Sequence, residues 1–294
     1  MTVRLMTWNI KHGGGDRLPA IIQVIRDQRP DILCLQELLN HRRSSRRRLQ
    51  ELAGATGMTA HTAPSALAQP VAVLVRSSLE ILHRSSVTWR LHHAAAEVVV
   101  RTEVGPLTVV STHLNPFSPY RRYREARWLA ARHRKARWPA AGHGETRQPV
   151  AGHGETHRPA AGHGVAGRPR TAGGLVVIAG DMNGLDPRGD HEQELAALPS
   201  LYRQRHLAPD GTADTRAIAA FHEEGYTDLW HTVGEGDGRT VPTDYAGREF
   251  GAVRLDYMMA SPALAARAER LWSVRDETTA TASDHYPVRA DVDL

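Results

Sequence analysis

The chain of 294 residues is 41% hydrophobic and 23% charged, the balance of a folded globular protein long enough for one large core. Its apolar runs fall short of the ~18 residues of a membrane span, and the single cysteine, Cys34, excludes an internal disulfide. The net charge of +5 and a pI near 9.7 point to polyanionic partners, although Lys11 and Lys135 are the only lysines and the arginine excess pervades the chain.

In chain order, "RLMTWNI" reads as a strand where a secretory leader would need a longer apolar stretch, so a cytoplasmic protein is expected. The loop "KHGGGD" follows, without the spacing or the Gly-Lys-Ser/Thr ending of a P-loop. "LPAIIQVIRDQ" is a helix with Ile21, Ile22, Val24 and Ile25 as its apolar residues, and Pro30 ends it by biasing Arg29 away from helical geometry. "DILCLQEL" is a buried strand in which Cys34 acts as a small hydrophobe. "HRRSSRRR" (41–48) and "RRYREARWLAARHRKAR" (121–137) are basic helices, either solvated faces or flanks of an anion site. Further strands are predicted at "VAVLV", "AEVVVRTEV", "LTVVSTHL", "LVVIAGDMN", "VRLDYMMAS" and "YPVRADVDL". A helix is predicted at "ADTRAIAAFHEEG", capped by Gly225.

Residues 139–170 stand apart. "PAAGHGETRQ", "PVAGHGETHR" and "PAAGHGVAGR" repeat with almost no large apolar side chains, which predicts a flexible insertion within one domain spanning 1–294. The repeat histidines His143, His153, His157 and His163 lack the Cys or paired carboxylate that would complete a metal site. Replacing residues 140–170 by a short flexible linker is therefore expected to leave melting temperature and turnover close to those of the full chain. Loss of solubility or of activity in that variant would show that the repeats pack or bind something essential.

The stretch "VVIAGDMNG" carries two readings. Asn183-Gly184 is a strong hairpin signal, whereas a period of two places Asp181 and Asn183 on one side of an extended strand end, with Met182 pointing away. Other strand ends favour the second reading: Asn9 in "TWNI", Glu37 in "LCLQEL", His113 in "VVSTHLN", and Asp284 with His285 in "SDHYP". Core packing favours apolar residues at such places, so this recurrence of Asn, Asp, Glu and His indicates one convergent site.

The motifs "TWNI", "PDILCLQEL", "STHLNP", "AGDMNG", "RLDYMMAS" and "SDHYPV" occur in the order found in the endonuclease/exonuclease/phosphatase family, which the chain resembles over all but the repeats. The resemblance implies a four-layer α/β sandwich: two mixed β-sheets packed face to face, helices outside, the active site at one end of the sheets. It implies Glu37 as principal ligand of a divalent cation, with Asn9 and Asp284 close to the metal and its waters. Oxygen ligands suit Mg²⁺, with Mn²⁺ as the alternative ion. Asp181 is similar to the residue that orients or deprotonates the attacking water, and Asn183 to the one that holds a phosphate oxygen. His285, fixed by Asp256, and His113 are similar to the histidines that face the scissile phosphate. Lys11 departs from the pattern, standing where some nucleases of the family carry an acidic residue, which counts against a second metal. Lys11 and Arg254 are candidate contacts to substrate phosphate.

The expected activity is metal-dependent hydrolysis of a phosphodiester by in-line attack of water, as in nucleases. The alternatives are a phosphomonoesterase or a phosphatase of lipid headgroups or small metabolites on the same site, and a non-catalytic phosphate-binding module. Nucleic acid is a candidate substrate, and nothing in the sequence marks a protein partner.

Overall fold

The computed structural model describes residues 1–38, 43–67, 69–134 and 174–294. The repeats at 139–170, with their histidines, lie outside the described residues, as do His41 and Arg42 of the first arginine run. Among the described residues no helix is long and apolar enough to cross a membrane.

The strands are β1 (Thr2–Asn9), β2 (Ile32–Gln36), β3 (Met58–Ala63), β4 (Val71–Arg76), β5 (Ile81–Val87), β6 (Ala95–Thr102), β7 (Gly105–His113), β8 (Leu175–Asp181), β9 (Thr227–Asp228), β10 (Gly234–Glu235), β11 (Asp256–Ala260), β12 (Ala268–Ser273) and β13 (Val288–Asp293). They form two mixed sheets, ordered β10-β12-β13-β1-β2-β4-β3 and β5-β6-β7-β8-β11-β9. Parallel pairing joins β1 to β2 through the helix α1 (Leu18–Gln28) and joins β7 to β8 on either side of the helix α3 (Pro119–Arg134). The helix α2 (Arg43–Thr56) lies between β2 and β3 in the chain.

Period-two burial accounts for the layers. In β1, Val3 and Leu5 enter the core between the sheets while Met6 and Trp8 face the opposite way, against Ile21 and Ile25 of α1 and Leu52 of α2. In β2, Ile32 and Cys34 face the inner core and Leu33 and Leu35 the helices. The second sheet repeats the scheme: Val109, Val177 and Met258 turn inward, whereas Val110, Ile178 and Met259 meet Ala126 and Leu129 of α3 and Ile218 and Phe221 of the helix Arg216–Glu223. The central strands of both sheets are thereby buried on both faces, giving the expected four-layer α/β sandwich. Cys34 is a core residue whose thiol is pushed up to about 12 by burial, against a bond to Ser111 that lowers it.

Strands β3, β5, β9, β10 and β12 have no counterpart in the sequence reading. β9 and β10 are two residues long, too short for a pattern, while β3 and β5 are edges and, like β12, carry polar residues on an exposed side, so their apolar alternation is weak. α1 stops where Pro30 predicts, with Arg29 turned into the left-handed region (φ 48°).

Candidate active site

The topology delivers polar side chains to one end of the sandwich. β1 and β2 run parallel and finish with Asn9 beside Gln36, and Glu37 follows. β7 and β8 also run parallel and finish with His113 beside Asp181, while the antiparallel β11 starts at Asp256, directly across from Asp181. Asp284 and His285 lead into β13, antiparallel to β1. The predicted residues Asn9, His113, Asp181, Asn183, Asp256, Asp284 and His285 are all buried, and Glu37 is partly exposed.

The end of β8 is shaped by Gly180. Its φ is 145°, and a Cβ built there would lie 1.9 Å from the carbonyl oxygen of Thr112 on β7. Gly180→Ala is expected to cost on the order of 4 kcal/mol, combining overpacking against rigid backbone with φ strain. A denaturant melt within ~1 kcal/mol of wild type would show that this strand pair yields easily.

Beyond Asp181 the structure corrects the extended-strand reading. β8 ends at Asp181, and Asn183 takes φ 49°; its N–H donates to Asp181 Oδ1 (2.9 Å) and its Nδ2 to the Leu114 carbonyl (3.1 Å). This is an Asx turn. The Asn-Gly signal marks a real turn without a hairpin, since β8 pairs with β7 and β11. Lys11, His12, Glu37 and Asn183 all have positive φ in these loops, whereas Arg29 and Arg90 are the other such non-glycine cases among the described residues. Backbone strain of this kind gathers where side chains must be aimed.

Asp181 is the hub of the site. Its Oδ2 accepts a hydrogen bond from Asn9 Nδ2 (3.0 Å) and lies 3.5 Å from His113 Nε2 and 3.6 Å from His285 Nε2. Asn9 Nδ2 also donates to Glu37 Oε1 (3.1 Å), so one amide bridges the two carboxylates. His285 Nδ1 donates to Asp256 Oδ2 at 2.7 Å, and Phe250 stands edge-on to its ring. Burial works against a charge on His285, but Asp256, Asp181 and Asp284 outweigh it and raise the imidazole to about 10. Burial, reinforced by Asp256, raises the Asp181 carboxyl above its ordinary range in spite of His285, His113 and Asn9. The result is a protonated imidazole beside an aspartate with raised affinity for a proton.

Lys11 comes to the rim of this cluster with its ammonium already paired, 2.7 Å from Asp284 Oδ2 and 3.3 Å from Glu249 Oε1. Arg254 is not brought into the cluster. Its guanidinium meets Asp186 Oδ2 at 2.5 Å and Asp228 Oδ2 at 2.7 Å and lies over the Tyr257 ring. His231 completes this second group, 2.8 Å from Asp186. The arginine supplies the positive charge these carboxylates need, so they read as a structural ion-pair network rather than a metal site.

The sequence model of the Endonuclease/Exonuclease/phosphatase family matches residues 6–285, from β1 to His285. The chain belongs to this family. No curated protein matches it by sequence. Among solved structures it is similar to an endonuclease/exonuclease/phosphatase from Bacteroides vulgatus, with 15% identity, 100% and 99% of the two chains covered and a TM-score of 0.67. It is also similar to a mannosyl-6-phosphatase from Bacteroides thetaiotaomicron (14%, 99% and 100%, TM-score 0.64). A third similar structure is truncated TDP2 from Caenorhabditis elegans (16%, 100% and 98%, TM-score 0.61). At these identities the likeness is one of fold.

The endonuclease/exonuclease/phosphatase family depends on a divalent metal, and the donors around Glu37 fit one. From the described residues the Glu37 oxygens receive only long bonds, 3.1 Å from Asn9, 3.3 Å from the His12 N–H and 3.4 Å from Gln69, and the side chain is partly open to solvent. Asp284 is tied to the same corner through Ser283, whose hydroxyl donates to the Asn9 carbonyl at 2.7 Å. This is an oxygen-only donor set, the kind hard cations prefer. Asp181, Asp256 and His285 also present ligand atoms within 4.8 Å of one another, but the His285–Asp256 hydrogen bond makes that trio an ion pair, with the imidazolium as its cation.

Several residues of this family site have no sequence signal of their own. Glu249, Phe250, Gln69 and His93, which stacks on His113 at 4.4 Å, lie in loops outside the strand-end motifs. Gln36 and Ser283 sit inside the quoted motifs, as polar neighbours of Glu37 and Asp284, but the sequence reading did not single them out.

Proposed function

We propose that the chain is a divalent-metal-dependent phosphodiesterase, with Mg²⁺ held at Glu37, Asn9 and Asp284. The observation that carries this reading is the position of Asp181 Oδ2 between two imidazoles and the Asn9 amide. When bound, the metal offsets negative charge on the phosphoryl oxygens and leaving group. Asp181, with its raised proton affinity, accepts a proton from the attacking water. His285, kept charged by Asp256, and His113 donate to non-bridging phosphoryl oxygens. Asn183, pinned by the Asx turn, holds a phosphate oxygen so that water and phosphorus stay in line.

Charge favours a diester. Among the described residues no arginine bonds into the cluster, and the Lys11 ammonium is already balanced by Asp284 and Glu249. A diester monoanion asks less of such a site than a monoester dianion. Arg254, held by its own carboxylates, is left out of the phosphate contacts, and Lys11 stabilises Asp284. The test is Mg²⁺-dependent turnover of bis(p-nitrophenyl) phosphate set beside p-nitrophenyl phosphate. Faster hydrolysis of the diester is expected; a preference for the monoester would overturn the reading.

A further inference from the structure

A line of rings leads away from the catalytic cluster. His93 stacks on His113 (4.4 Å, 28°), His92 meets His93 edge-on (4.5 Å), and His92 also meets Phe117 edge-on (5.7 Å). The Arg205 guanidinium lies over both Phe117 (5.2 Å) and Tyr202 (4.9 Å). Phe117 is 58% exposed, although it follows His113 by a single short loop.

This exposed ring is held by a built frame. Asn115 Oδ1 accepts the N–H groups of Phe117 (2.9 Å) and Ser118 (2.8 Å). Glu125, buried in α3, accepts the N–H of Asn115 through one oxygen and that of His92 through the other, each at 2.8 Å. Arg122, 1% exposed, donates to the carbonyls of Asn115 (3.0 Å) and Arg205 (2.6 Å). Two buried charged side chains thus lock the two loops that carry His92 and Phe117 to the short 3-10 helix Gln204–His206 that carries Arg205. Burying charge is costly, and an exposed phenyl gains nothing from the fold in return.

Resting on the phosphodiesterase reading, we infer that Phe117, edged by Arg205 and His92, is a stacking platform for the nucleobase next to the scissile phosphate, and so determines specificity. A base offers a flat π-face for the phenyl ring, and its flanking phosphates suit Arg205 and the exposed Arg121. An acyl chain would match the phenyl ring but leave the arginine edges without a partner.

The test compares a dinucleoside phosphate with its abasic counterpart in wild type, Phe117→Ala and Phe117→Trp. Wild type is expected to favour the base-bearing substrate in kcat/KM by about 5- to 150-fold, the range for one stacked base. Phe117→Ala should collapse that preference, mainly through KM, and Phe117→Trp should keep it. Equal rates on both substrates in wild type, or an unchanged preference in Phe117→Ala, would overturn the platform. If wild type hydrolyses neither, the phosphodiesterase reading fails, and calorimetric binding of the two compounds to the same proteins decides the platform separately. Tighter binding of the base-bearing compound, lost in Phe117→Ala, would support it; equal binding would overturn it.

Discussion

Asp181→Asn is expected to lower turnover by ~10²-fold or more while leaving substrate affinity nearly unchanged, the loss associated with a missing acid/base group. The substitution keeps the side chain's size, and the amide oxygen can still accept the Asn183 N–H that forms the turn. What disappears is the proton acceptor between His113 and His285. The fold should survive with a lowered melting temperature, because the uncharged isostere escapes the burial cost of the carboxylate but turns its Nδ2 toward the Asn9 amide and the His285 imidazolium. Steady-state kinetics and a thermal melt check both halves. A rise in KM with kcat intact would make Asp181 a substrate-holding residue and not the base.

Glu37→Gln is expected to raise the Mg²⁺ concentration for half-maximal activity by at least ~10-fold, since losing even an outer-shell partner of a metal ligand costs about 10- to 100-fold. The change removes the ligand charge at constant volume, and the partly exposed position of Glu37 spares the core. Metal titration of turnover, with Mn²⁺ binding measured directly by calorimetry, reads the effect. Unchanged activity at low Mg²⁺ together with unchanged Mn²⁺ affinity would remove Glu37 from the metal site.

The central strands were legible because they are buried on both faces and read as nearly continuous aliphatic runs, as in "ILCLQ" and "LVVIAGD", whereas their arrangement as a four-layer sandwich followed from the family resemblance. The edge strand β5, "ILHRSSV", shows why other strands were not: pairing with β6 creates it, and its own pattern is polar. The polar strand ends were legible for the opposite reason, since Asn9, His113 and Asp181 interrupt apolar runs where packing alone would place aliphatic residues. Backbone conformation was not. Nothing in "GDMNG" distinguishes a continued strand from an Asx turn, because Asn183 is compatible with both.

Ion pairing was equally hidden, because the partners of Lys11 and Arg254 are distant in the chain. Glu249 claims the Lys11 ammonium, while Asp186 and Asp228 claim the Arg254 guanidinium. The same distance conceals the aromatic platform. Phe117 and His92 come from two separate loops and Tyr202 from a short helix at Ser200–Arg203, and the buried charges that join these segments, Arg122 and Glu125, look in sequence like two more polar residues of a basic helix.

The most direct test of the account is hydrolysis of bis(p-nitrophenyl) phosphate by protein stripped of metal with a chelator, before and after Mg²⁺ is restored, in wild type and Asp181→Asn side by side. The account predicts no turnover without metal, recovery on adding Mg²⁺ in wild type, and a recovered rate ~10²-fold or more lower in Asp181→Asn. Full activity in the stripped protein, or equal recovery in the two proteins, would contradict it.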